Sequence, residues 1–309
     1  MKRIVVTGTG TSIGKTHFTC SLARAYGSQK RRVAAFKPIE TGVEPAGGEY
    51  TDSAQLAAVS SFHVKRWLDP VYTFREPISP HLAARRAGIS LELQPIRDAI
   101  RIFDTLDLDL VLIELAGGLF SPLNDTESNA DLALALHRDA VAAAAVPVPQ
   151  PVALAAESGG SSRPPPATDA PSAASSGTWT ASAPNLHGDL PSASWSRADS
   201  FPPGDSSPPG ATAAQDDAIP RVIVVAADRI GVLHEIATTT RAAEAIGLPL
   251  AGIVLMMPAQ PDASTGLNGP EIPYVTIVPY LGTLRRAPID ALASDIKLSG
   301  FMGRLYAAA

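Results

Sequence analysis

Apolar residues along the chain fall into short continuous runs, separated by stretches where they recur every three or four positions. The runs at Ile4-Val5-Val6, Val33-Ala34-Ala35-Phe36, Arg221 to Ala226, Leu250 to Leu255 and Tyr274 to Val278 have the length of strands rather than helices. Asp109-Leu110-Val111-Leu112-Ile113-Glu114 is the clearest: consecutive apolar residues ending on a carboxylate predict a central parallel strand buried on both faces. Helical spacing fills the intervals. Phe18, Leu22 and Ala25 predict a helix over 16–26 that stops at Gly27, and Asp52 opens a short one over 52–61, at or near its N-cap. Ile96, Ile100 and Phe103 share one face of a helix over 91–106; further helices are expected at 126–137, 230–246 and 289–298. This alternation predicts an α/β fold, a mainly parallel sheet flanked by helices on both faces.

The pattern lapses from 144 to 218, where Pro, Ser, Ala and Gly dominate. Half of the chain's 28 prolines fall between Pro147 and Pro220, and Trp179, Trp195 and Phe201 stand without periodic apolar partners. Such a stretch cannot bury enough surface to offset its conformational entropy, so a disordered insertion is expected. Because loop closure costs grow slowly with length, 1–143 and 219–309 are expected to form a single domain around it.

Bulk properties narrow the function. A net charge of −5 and a pI near 5.7 leave no basic face for nucleic acid. The single Cys20 cannot form an intramolecular disulfide, and its place inside the first helix suits a core thiol. Strand-forming residues begin almost at Met1, so no signal peptide is expected. No apolar run approaches the ~20 residues that span a bilayer. These traits together predict a soluble, cytoplasmic protein without a membrane partner.

Chemistry concentrates where strands end. Thr7-Gly8-Thr9-Gly10-Thr11-Ser12-Ile13-Gly14-Lys15-Thr16 lies between the first strand and the first helix, the order that a phosphate cradle requires. Glycines let backbone N–H groups curl round an anion, and the helix N-terminus adds partial positive charge. Gly8, Thr9, Gly10, Thr11, Ser12, Ile13 and Gly14 would form the cradle; Lys15 would reach the outer phosphates and the Thr16 hydroxyl would ligate Mg²⁺. A strict Gly-x-x-x-x-Gly-Lys-Ser/Thr pattern needs glycine where this chain has Thr9.

Lys37-Pro38-Ile39-Glu40-Thr41-Gly42 follows the second strand, and Ala116-Gly117-Gly118 follows Glu114. A parallel sheet delivers these ends to one edge, where ligands collect. Lys37 could balance phosphate charge a second time. Glu114, closing a buried strand, needs a partner, and Mg²⁺ is an economical one. Asp52 is the other carboxylate candidate, or a plain helix cap. Gly117 and Gly118 either admit an anionic substrate close to the backbone or make a tight turn. His17, His81 and His234 lack metal-ligand spacing, and no Ser–His–Asp arrangement can be argued.

Together these segments resemble the dethiobiotin synthetase family. The resemblance rests on the phosphate loop, on Lys37 to Gly42, on Tyr72-Thr73-Phe74-Arg75-Glu76-Pro77-Ile78-Ser79-Pro80-His81, on Ile113-Glu114-Leu115-Ala116-Gly117-Gly118-Leu119-Phe120-Ser121-Pro122-Leu123, and on Val224 to Gly231. It covers nearly all of 1–140 and 219–281. It implies a seven-stranded P-loop NTPase-type fold and a homodimeric ATP-dependent cyclo-ligase of biotin biosynthesis. The implied reaction joins CO₂ to 7,8-diaminononanoate with MgATP, through a phosphorylated carbamate, giving dethiobiotin, ADP and phosphate. The resemblance further implies that Lys15 and Lys37 neutralise phosphates and carbamate, that Thr16, Asp52 and Glu114 form the Mg²⁺ set, and that Thr41, Gly117 and Gly118 contact substrate. The family commonly carries an acid where this chain has Gly10, and a base-contacting asparagine where it has Met256. Two other readings stand beside it: another P-loop ATPase, amidotransferase-like or partitioning-type, and a nucleotide-binding scaffold.

Overall fold

The computed structural model of the protein describes residues 1–44, 51–61, 68–145 and 218–307. Strand β1 (Lys2–Gly8) pairs in parallel with β5 (Leu110–Glu114) on one side and with β6 (Arg221–Ala227) on the other. Strands β2 (Val33–Phe36), β7 (Leu250–Met256) and β8 (Tyr280–Leu284) extend this to a six-stranded parallel sheet in the order β2-β5-β1-β6-β7-β8. The short β3 (Ile39–Thr41) and β4 (Tyr72–Phe74) form a separate parallel pair.

Alternation along β1 sorts the core. Val5 packs with Phe36, Ile113, Ile96, Ile100 and Phe103 on one face of the sheet. Ile4 and Val6 pack with Phe18, Leu22, Leu292 and Phe301 on the other. The first face is covered by α4 (Leu93–Ile102) and α5 (Asn129–Ala145), with α3 (Pro80–Ala87) beside them. The second is covered by α1 (Lys15–Gly27), α2 (Asp52–Val59), α7 (Ile289–Asp295) and α8 (Leu298–Ala307). A third cluster seats Val232 and Ile236 of α6 (Val232–Ala245) against Ala226, Ile253 and Leu255. A sheet buried on both faces explains why β5 is apolar throughout and why Glu114 at its end is fully buried.

Several expectations shift. The last strand is β8, not 274–278. Pro270 and Pro273 remove backbone donors and Gly269–Tyr274 coils as a 3₁₀ turn, leaving Tyr274 and Ile277 83% and 94% exposed. The pairing that β7 needs comes instead from the Pro279 carbonyl, 2.8 Å from the Ile253 amide, and from Tyr280 onward. The helix expected at 126–137 starts at Asn129, because Ser128 bridges back to Pro122, and runs on to Ala145. Asp52 stands next to the N-cap of α2, as expected, and the cap itself is Thr51, whose hydroxyl accepts the Ala54 amide at 3.2 Å. The helix over 91–106 closes as a 3₁₀ turn at Phe103–Thr105. The main sheet has six strands among the described residues rather than the seven implied. The expected disordered insertion at 144–218 lies, from 146 to 217, outside the described residues; Ala144 and Ala145 end α5.

Cys20 is fully buried on α1, and burial, reinforced by Glu114 and Asp52, pushes its thiol up to about 12. The native protein at pH 8 should therefore react with a thiol reagent far more slowly than the urea-unfolded chain, by ~10²-fold or more. Equal rates in the two states would contradict this packing.

Candidate functional site

The loop between β1 and α1 is pinned by backbone bonds to two other segments. The Gly8 carbonyl accepts the Leu119 amide at 2.8 Å, and the Thr9 amide donates to the Val225 carbonyl at 3.0 Å. A Cβ on Gly8 would stand 2.3 Å from Ile13 Cδ1 and 2.8 Å from the Val225 oxygen, so the loop closes tightly only over glycine. Gly14 opens α1 at φ 97°, with Met256 against it. Ser12 also takes a positive φ, 57°, uncommon for a residue with a Cβ and typical of strained functional turns. Thr9, which breaks the strict motif, is used: its hydroxyl donates to Glu235 Oε2 at 2.9 Å, while Glu235 Oε1 accepts from Arg229 at 2.7 Å.

Lys15, the first residue of α1, and Lys37, directly after β2, are both buried. The Lys15 ammonium donates to the Gly10 carbonyl at 2.8 Å. Burial lowers its pKa to about 8, only partly offset by Glu114, so it is a cation short of a strong anionic partner. Lys37 lies between two carboxylates, bonded to Asp52 and 3.2 Å from Glu114 Oε1. Burial acts to lower its pKa, but Glu114 and Asp52 outweigh that and hold it raised.

Glu114 completes the group. Its Oε1 also accepts the Thr16 hydroxyl at 2.7 Å, while its fully buried Oε2 has no hydrogen-bond partner. Among the described residues no cluster of three or more His, Cys, Asp or Glu could hold a metal. A hydroxyl, a carboxylate and an orphaned buried oxygen nevertheless fit Mg²⁺, which takes few protein ligands and keeps water and phosphate oxygens. Thr16, Asp52 and Glu114 are the residues that would hold it.

The structure thus joins Lys37, Asp52, Glu114 and Thr16 by direct bonds, with Lys15 beside them. Thr41 is not in that cluster; it is half-buried at the end of β3, in the small sheet. The turn after Glu114 packs against the phosphate loop. A Cβ on Gly118 would lie 3.3 Å from the Gly10 nitrogen and the Gly8 oxygen, so this glycine serves close approach of backbone to backbone. The Gly118 amide already donates to Ser121 Oγ at 2.8 Å. Gly117 takes φ 77°, a conformation that favours glycine.

Three supporting residues went unread in the sequence. Asn129, wholly buried at the start of α5, donates to the Gly118 carbonyl at 2.9 Å and to the Ala116 carbonyl. Glu235 reaches Thr9 from 226 positions away. Glu40, buried on β3, accepts the backbone amides of Asp52 at 2.5 Å and Ser53 at 3.2 Å. Only Glu40 left a local signal, an acid three residues after Lys37 within the same motif.

Residues 2–149 match the protein family described as an AAA domain. The ATP-dependent dethiobiotin synthetase BioD of Nitrosospira multiformis is 41% identical over 135 residues, 44% of this chain and 58% of that protein. The protein of the same name from Rhodopirellula baltica is 28% identical over 286 residues, 91% of this chain and 83% of its own length. The chain spans about three fifths of the length of the more similar relatives, such as the 58% matched in Nitrosospira multiformis. The solved MinC:MinD cell division protein complex of Aquifex aeolicus covers 99% of this chain and 93% of its own at 8% identity and a TM-score of 0.40, too remote to bear on the site. By these sequence relationships, the N-terminal part of the chain is similar to ATP-dependent dethiobiotin synthetases.

Proposed function

We propose that the protein is an ATP-dependent cyclo-ligase that carboxylates 7,8-diaminononanoate with CO₂ and closes the ureido ring of dethiobiotin. The observation that supports it best is the pairing of two buried lysines at one sheet edge, Lys15 after β1 and Lys37 after β2, with Glu114 at the end of β5, the strand between them, and Thr16 bonded to it. A nucleotide alone needs one such lysine. A second anion, the carbamate, gives a use for the other.

In this reading one substrate amine adds to CO₂ and loses a proton, giving a carbamate. Its oxygen attacks the γ-phosphorus of ATP, the bond to the bridging oxygen breaks, and ADP leaves. The second amine then attacks the carbamoyl carbon and expels phosphate, closing the ring. Gly8 to Gly14 hold the phosphates through backbone amides, and Lys15 exchanges its bond to the Gly10 carbonyl for them. Lys37 faces the charge that develops on the transferred group. Thr16 keeps its proton on Glu114, which leaves its lone pairs free for the cation. Mg²⁺, when bound, neutralises phosphate charge. ATP and Mg²⁺ are thus co-substrate and cofactor, and a homodimer in the cytoplasm is the proposed assembly and setting. Residues 144–218 are proposed as an insertion within one domain, since β1 pairs both with β5 before it and with β6 after it.

Purified protein given MgATP, bicarbonate and 7,8-diaminononanoate should form dethiobiotin and ADP in equal amounts. Absence of product with ATP binding intact would favour the scaffold reading. Lys37→Met should lower kcat by ~10²-fold or more. It also leaves buried Glu114 without its ammonium, a loss of about 3–5 kcal/mol that Mg²⁺ should partly restore. A melting temperature equal to wild type would show that the pairing is not structural. Deleting 146–217 should leave turnover and melting temperature nearly unchanged; a large fall in either would make the segment part of the working domain.

A further inference from the structure

Glu40 occupies a position in this cluster that the reaction scheme above does not use. It lies three residues after Lys37, across Pro38, on β3, and is 5% exposed. A carboxylate so buried must be compensated by donors. Glu40 finds them at the start of α2: the Asp52 amide at 2.5 Å, the Ser53 amide at 3.2 and 3.3 Å, and the Ser53 hydroxyl. Thr51 takes the next amide, that of Ala54, at 3.2 Å. The exposed N–H groups of the first helical turn are therefore divided between a remote carboxylate and a local cap.

The consequence falls on Asp52. It is the first residue of α2, its amide held by Glu40 while its own carboxylate meets Lys37. The residue is gripped at both ends by groups three positions apart on one short segment. Its side chain remains 39% exposed, so packing alone does not fix it. We propose that Glu40 is a positioning residue: by anchoring the backbone of Asp52 it sets the Asp52 carboxylate in line with Lys37 and Glu114, and so sets the affinity of the site for a divalent cation. This rests on Asp52 serving the cation, as in the function proposed above. The competing view makes Glu40 a helix cap whose loss costs stability alone.

Thr51 separates the two views, because it caps the same helix end without touching the Asp52 amide. Mn²⁺ affinity, measured by electron paramagnetic resonance on the full chain with a non-hydrolysable ATP analogue, is read for wild type, Glu40→Ala, Glu40→Gln and Thr51→Ala, with melting temperatures alongside. Glu40→Ala should weaken Mn²⁺ binding about tenfold or more. Glu40→Gln, which keeps an acceptor oxygen for the amides, should stay within about threefold of wild type. Thr51→Ala should lower the melting temperature while keeping wild-type Mn²⁺ affinity. If Glu40→Ala does not fold, Glu40→Asp, one methylene short of the amides, should show an intermediate loss.

Unchanged Mn²⁺ affinity in Glu40→Ala, or equal losses in Glu40→Ala and Thr51→Ala, would overturn the proposal, as would absence of Mn²⁺ binding by wild type. The variant series holding while wild type forms no dethiobiotin would sink the proposed reaction and leave the positioning role standing. Dethiobiotin formation with an unshifted Mn²⁺ series would do the reverse.

Discussion

A carboxylate with no exposure to water stands at the end of strand β5, and most of the site follows from compensating Glu114 there. A lone buried charge is costly, and it persists only when bonded and compensated. Thr16 and Lys37 supply that compensation from the first helix and the neighbouring strand end. The same demand brings Asp52 in, because one ammonium is shared by two acids. Glu114, Lys37, Asp52 and Thr16 therefore form one electrostatic unit, and a change at any member is felt by the rest.

The sheet makes this unit possible. Six parallel strands point their C-terminal ends the same way, so the phosphate loop after β1, Lys37 after β2 and Glu114 on β5 meet without any long excursion of chain. The outer contacts then remove the remaining freedom. Leu119 and Val225 fix the loop backbone, Glu235 holds the Thr9 hydroxyl, and Asn129 with Ser121 fixes the glycine turn beside it. A lysine with its pKa lowered by burial, cradled in a rigid loop, gains most from an anion that restores its charge. Preorganisation and electrostatic need thus act on the same few atoms.

The glycines illustrate how differently local and non-local constraints present themselves. Gly14 could be expected to break regular conformation, and its φ of 97° does so at the helix entry. Gly118 could not be assigned in that way. Its requirement is the backbone of a loop more than a hundred positions earlier, 3.3 Å from where a Cβ would sit. Thr9 is a similar case: measured against the motif it looks like a defect, yet its hydroxyl has a partner on α6.

What the sequence determined by itself was set by short-range pattern. Runs such as Leu110–Ile113 have only one stable place, inside a covered sheet, and strand–loop–helix order with Gly14-Lys15-Thr16 permits little but an anion cradle. It misjudged an element where proline chemistry decides locally, at 274–278. Tertiary structure alone decided the partners. Nothing in the order of residues says that Lys37 is shared between Asp52 and Glu114, that Glu40 holds the backbone beneath Asp52, or that Glu235 and Asn129 brace the two loops. Those pairings depend on which strand ends become neighbours, and hydrogen bonds and ion pairs act over a few ångströms of space, not of chain.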